Sequence, residues 1–184
     1  MFRKLILAAC IAAIGIICGA QAFGQDAATL AASLDKNKYK KKDKSKNGIN
    51  ISIEVYVDIK NEPVVKQPSE YSGSYAGQDS DSRLDLTVAA DGIASGSGTD
   101  LIDGDRQSSK MTFTLKNARV NGAVLTADKV FADGKTERLE AVFVNRTTLV
   151  GKNAENIESR ETAFGVGFIR KNGEWTNRVF LSRK

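Results

Sequence analysis

The side chains that could do chemistry are few. The 184-residue chain contains no histidine, which removes the commonest general base, the usual pH switch and the commonest transition-metal ligand. Its two cysteines, Cys10 and Cys18, both lie near the start, so no disulfide framework and no Cys–His or zinc chemistry is expected of the body. Serines are plentiful. Without histidine, however, only Ser–Lys or carboxylate arrangements remain, and no Ser-x-x-Lys stretch falls in a motif context. Asp100, Asp103 and Asp105 around Gly104, and separately Asp79 and Asp81, offer oxygen atoms, but none has the spacing of a calcium-binding loop. No phosphate-cradling G-x-x-x-x-G-K-[ST] is present. The chain therefore reads as non-enzymatic, with no cofactor and no metal.

What remains is a concentration of charge. Lys36, Lys38, Lys40, Lys41, Lys42, Lys44 and Lys46 stand against only Asp35 and Asp43. Taking those seven, with Arg3 and Lys4, from the 27 basic residues leaves 18. Taking the two aspartates from the 22 acidic ones leaves 20. The net charge of +5 thus reports one short segment. That segment is either a patch for an anionic partner, such as lipid headgroups or an acidic envelope polymer, or a solvated spacer. Nucleic acid is not expected, because arginine and aromatic interleaving are missing.

The elements that must position this segment follow from the flanking residues. Met1-Phe2-Arg3-Lys4, an apolar run from Leu5 to Cys18 and Ala20-Gln21-Ala22 have the three parts of a secretory signal peptide, with cleavage after Ala22. Retention as a membrane anchor is the alternative, although Gln21 ends the run short of a bilayer span. Lipid attachment at Cys10, through Leu7-Ala8-Ala9-Cys10, is another. The expectation is a periplasmic or secreted bacterial protein of roughly 160 residues with no transmembrane segment after cleavage, enough for one packed core. Residues 23–47 read as a helix. Asp26 is the N-cap, Leu30 and Leu34 form a docking stripe, Asn47-Gly48 is the stop, and the lysine half is an exposed extension or disordered.

Residues 48–184 read as β. Ile49, Ile51, Ile53, Val55, Val57 and Ile59 occupy every second position, which places them on one face of a long strand. Shorter alternating runs follow the Pro63–Pro68 stretch, joined by Asp91-Gly92, Asn121-Gly122, Asp133-Gly134 and Asn172-Gly173, each a type I′ hairpin signal. Eight or nine strands in sequential hairpins predict an antiparallel up-and-down β-barrel or strongly curled meander, with the helix against one end or side. A β-sandwich is the alternative, and the opening strand is expected to seal the barrel. Phe164-Gly165-Val166-Gly167-Phe168 puts three glycine or alanine positions (163, 165, 167) on one face, either a smooth seat for a ligand or the helix, or core packing at a bend.

Tyr71-x-Gly-x-Tyr75-x-Gly77, then an amphipathic strand, an Asp-Gly turn and a glycine-rich strand, resembles in outline the opening of calycin-type barrels such as lipocalins and avidins. The likeness covers about 30 residues of pattern, and the Gly-x-Trp of lipocalins is missing, since Trp175 is the only tryptophan. It implies a barrel whose interior holds a small apolar molecule, and it assigns no ligand-binding residues.

Overall fold

The computed structural model describes residues 26–46, 49–77, 82–104, 107–171 and 175–184, with the backbone alone for 36–54, 101–109 and 168–178. The segment expected to be a signal peptide, the Asn47-Gly48 and Asn172-Gly173 pairs and the Asp79/Asp81 cluster lie outside the described residues. Among the described residues a single α-helix, α1 (Ala27–Leu34), is followed by β1 (Lys36–Lys46), β2 (Ile49–Pro63) and a 3₁₀ turn (Pro68–Tyr71). Eight further strands complete the chain: β3 (Gly73–Ala76), β4 (Arg83–Val88), β5 (Ile93–Gly104), β6 (Gln107–Asn121), β7 (Val124–Phe131), β8 (Thr136–Asn153), β9 (Asn156–Lys171) and β10 (Trp175–Arg183). Among the described residues no helix is long and apolar enough to cross a membrane.

All ten strands belong to one antiparallel sheet, and strands β3 to β10 close it into a ring in chain order. This is the up-and-down barrel expected, and the single closed sheet rules out the sandwich. The seam is the short ladder between β10 and β3, where Ser182 pairs with Ala76 and Arg183 with Tyr75. Arg183 reinforces it by donating to the carbonyls of Glu70 (2.9 Å) and Ser72 (2.8 Å), and Lys184 N–H donates to Ser74 O.

The long opening strand does not seal the barrel. β8 has 18 residues, so it outruns β7: on one edge its first part pairs with β7 and its Val144–Gly151 part pairs with β2, while its other edge carries β9. β2 therefore extends the sheet beside the barrel, and β1 lies beyond it at the free end. The lysine segment likewise departs from the helix expected over 23–47. The helix stops at Leu34, because Asp35 leaves helical geometry (ψ 142°), and the lysines run in an extended strand. Like charges one helical turn apart repel, whereas a strand paired with β2 gains eleven residues of ladder.

Alternation sorts the barrel wall into an inner and an outer set. Leu84, Leu86 and Val88, then Leu125, Ala127 and Phe131, then Leu139, Ala141 and Phe143 are buried inside, in one cluster with Tyr71, Tyr75 and Val166. On the outer wall, Val142 and Val144 meet Leu30, Ala31 and Leu34 of α1, with Ala123 beside them. The glycine face belongs to this outer contact. A Cβ on Gly167 would lie 2.1 Å from Leu34 Cδ1, and one on Gly165 would run into the Phe180 ring, so Gly167 is the seat of the helix. Asp26 caps α1 by accepting from Thr29 N–H at 2.7 Å.

Three of the Asx-Gly pairs form hairpin turns, though not of type I′. Only the glycines Gly92, Gly122 and Gly134 take positive φ, at 83°, 58° and 84°, while the preceding Asp or Asn does not. Ala90-Asp91-Gly92 and Ala132-Asp133-Gly134 repeat one construction. The glycine N–H returns to the carbonyl three residues earlier, and the aspartate accepts from the N–H two residues on.

Candidate functional site

The seven lysines lie in β1, whose described backbone pairs with β2 and with no other strand. Lys36, Lys38, Lys40, Lys42, Lys44 and Lys46 stand opposite Ile59, Val57, Val55, Ile53, Ile51 and Ile49 respectively. Lys41 is out of this series, opposite Glu54. Directly opposed residues of an antiparallel pair share a face of the sheet, so the register brings six lysine and six β-branched positions to one side. The same side of β8 carries Thr148 and Val150, opposite Ile59 and Val57, and it is the outer side on which α1 lies.

The base of this ribbon is tied to the barrel by a chain of polar contacts. Asp35, the link between α1 and β1, accepts through Oδ1 from Asn61 N–H (2.7 Å) and Asn61 Nδ2 (2.9 Å). Asn61 Oδ1 accepts from Arg146 Nε at 2.9 Å, and the Arg146 guanidinium lies 3.9 Å from the centre of the Phe180 ring. Burial lowers the Arg146 pKa to about 10, against the opposing pull of Asp35, so it stays protonated at neutral pH. The four residues join the helix end, β2, β8 and β10 at the point where β1 begins.

From that base the ribbon runs on past its support. β2 is held by β8 only from Tyr56 to Pro63, so residues 49–55 pair with β1 alone. At ~3.3 Å per residue those seven positions extend about 23 Å beyond the three-stranded part. Val55, Val57 and Ile59 are half-buried. An eight-residue helix is about 12 Å long, which covers the base of the face and not its length.

The barrel interior is occupied by its own side chains. At the end where the chain enters β3, Tyr71 stacks on Phe143 with centroids 4.1 Å apart, and Tyr75 and Phe164 complete the group. Tyr71 hydroxyl donates to Val64 O and accepts from Lys66 N–H, both at 2.8 Å, so the 3₁₀ turn is pinned across the barrel end. Burial raises the Tyr75 pKa to about 12, and its hydroxyl donates to Tyr71 O. Towards the other end, Lys129 Nζ lies 2.8 Å from Asp100 Oδ2 and 4.9 Å from the Phe113 ring centre. Both charged residues are almost fully buried, and burial lowers the Lys129 pKa to about 8.

Asp100 is thus committed to Lys129 inside the barrel. Asp103 has no described side chain and Asp105 lies outside the described residues, so the three are not brought together as a described cluster. Two depressions of about 500 and 550 Å³ lie on the outer wall of β3–β7, lined by hydroxyl and charged residues including Arg83, Asp85, Ser97 and Thr114. Reading the residues in order missed the Lys129–Asp100 pair. The alternation Leu125, Ala127, Lys129, Phe131 was the available signal, since it places a lysine on an apolar, inward face.

No family model, curated protein or solved structure matches the chain.

Proposed function

We propose that the chain is an exported, non-enzymatic barrel that docks on an anionic surface of the bacterial envelope through Lys36, Lys38, Lys40, Lys41, Lys42, Lys44 and Lys46. One observation carries the reading: six of the seven lysines occupy every second position of the outermost strand of the sheet, attached to the barrel at its base. A flexible spacer would need no register with a neighbouring strand. The described interior, filled by Tyr71, Tyr75, Phe143 and the Lys129–Asp100 pair, is why this reading is preferred to a small apolar ligand held inside the barrel. Export rests on the N-terminal sequence pattern.

The test is binding of purified protein to isolated envelope fragments over a salt titration. Binding should be strong at low ionic strength and weaken as salt rises, since screening shortens the reach of exposed charge to ~8 Å at 0.15 M. Replacing all seven lysines by glutamine should abolish it. Equal binding by that variant would refute the proposal.

A further inference from the structure

We infer that the anionic surface is a lipid bilayer, met by a face on which six lysine positions alternate across the strands with six β-branched apolar ones. This rests on the docking function proposed above and names its partner. A soluble polyanion would be satisfied by charge alone and would make no use of the apolar positions Ile49, Ile51 and Ile53, which lie in the part of the ribbon that pairs with β1 alone. An anionic bilayer offers both requirements within a few ångströms, phosphate at the headgroup level and acyl chain below it.

Two features of the fold favour this occupant. Ile49, Ile51 and Ile53, opposite Lys46, Lys44 and Lys42, lie in the part of the ribbon that β8 does not support. Isolated two-stranded ribbons are marginal in water, so this part needs a surface to lie on. The charge is complementary as well: in the pairs facing this side the only ionisable residues are lysines, whereas Lys41, Asp43, Glu54 and Asp58 take the alternate positions. Along the docking face the register therefore holds positive charge with no acidic position between.

The experiment uses the chain from residue 23, which contains every described element, and measures partition onto vesicles of 30% phosphatidylglycerol in phosphatidylcholine. Phosphatidylcholine alone and soluble inorganic polyphosphate are the comparison ligands. Exchanging Lys40, Lys42 and Lys44 together for glutamine should lower partition onto the anionic vesicles by roughly a hundredfold, at about fivefold per lysine. Ile51→Thr with Ile53→Thr keeps β-branching and charge, and should lower vesicle partition at least tenfold while leaving polyphosphate binding unchanged. Ile51→Leu with Ile53→Leu should restore vesicle binding, which separates lost apolar area from a loosened ribbon.

Vesicle binding indifferent to the threonine pair would overturn the lipid assignment, as would polyphosphate bound more tightly than vesicles. Either result would leave the docking function standing. Protein that binds neither anionic vesicles nor polyphosphate would remove both.

Discussion

Lys129→Met is the sharpest probe of the barrel interior. Lys129 Nζ and Asp100 Oδ2 are 2.8 Å apart and both residues are at most 2% exposed. At an effective dielectric of ~20, that separation corresponds to about 6 kcal/mol of attraction, set against several kcal/mol of desolvation for each ion. The intact pair is therefore near neutral for stability, and the asymmetry appears when one member is removed. Lys129→Met leaves the desolvation of Asp100 without its lysine and should cost about 3–5 kcal/mol, or roughly 10 °C in melting temperature. Asp100→Leu should cost a similar amount, because the buried Lys129 then loses its contact with Asp100. The double variant should recover most of both losses, giving a coupling energy of several kcal/mol. Urea unfolding of all four proteins with a common slope is the assay. Singles within about 1 kcal/mol of the parent would refute the reasoning, as would a double variant whose loss equals the sum of the two.

Three other outcomes follow from the outer wall and the aromatic end. Gly167→Val places methyl groups where Leu34 lies and should cost about 1–3 kcal/mol; Leu34→Ala in the same chain should relieve part of it, read by thermal melting. Arg146→Lys keeps the charge but loses the Nε bond to Asn61 and the planar contact with Phe180, at about 1–2 kcal/mol, and should raise hydrogen exchange in β1 more than in β4. Tyr75, with a folded pKa near 12 above its ordinary value near 10, contributes stability that is whole below pH 10 and lost as pH climbs through 12. Tyr75→Phe should flatten that alkaline loss in a pH series of unfolding curves.

Much of the architecture was legible because a period of two is a local property. The runs around Leu84, Phe113, Leu125 and Phe143 declare their inner faces, and the glycines after Asp91, Asn121 and Asp133 mark the reversals. The turn type was not legible. The flanking strands and the two-residue-on aspartate bond decide which residue takes positive φ, and here the glycine alone does. The fate of Lys36–Lys46 was hidden for the opposite reason. Lysine has little preference for strands, and the even-numbered spacing competes with an equally visible i,i+4 pattern. Only pairing with β2, the next strand in the chain, settles between them. The placement of β2 beside the ring depends on β8 being longer than β7, and no short window contains that difference. The Lys129–Asp100 site spans 29 residues and two non-adjacent strands, beyond any spacing rule.

The seam between β3 and β10 has a consequence for the order of assembly. Seven of the eight junctions in the ring join strands consecutive in the chain, and each can form as soon as its second strand exists. The eighth joins Tyr75 and Ala76 to Ser182 and Arg183, more than a hundred residues later. For a chain made from its N-terminus, the edge of β3 stays open until Ser182 and Arg183 emerge. A loop of that length must then be closed for two ladder pairs and the three donations from Arg183 and Lys184. A polypeptide halted before Ser182 keeps nearly every other strand pairing and still lacks a closed barrel, with the edge of β3 left open to a neighbouring molecule. Circularity in this fold is conferred by β10, the eighth strand of the ring.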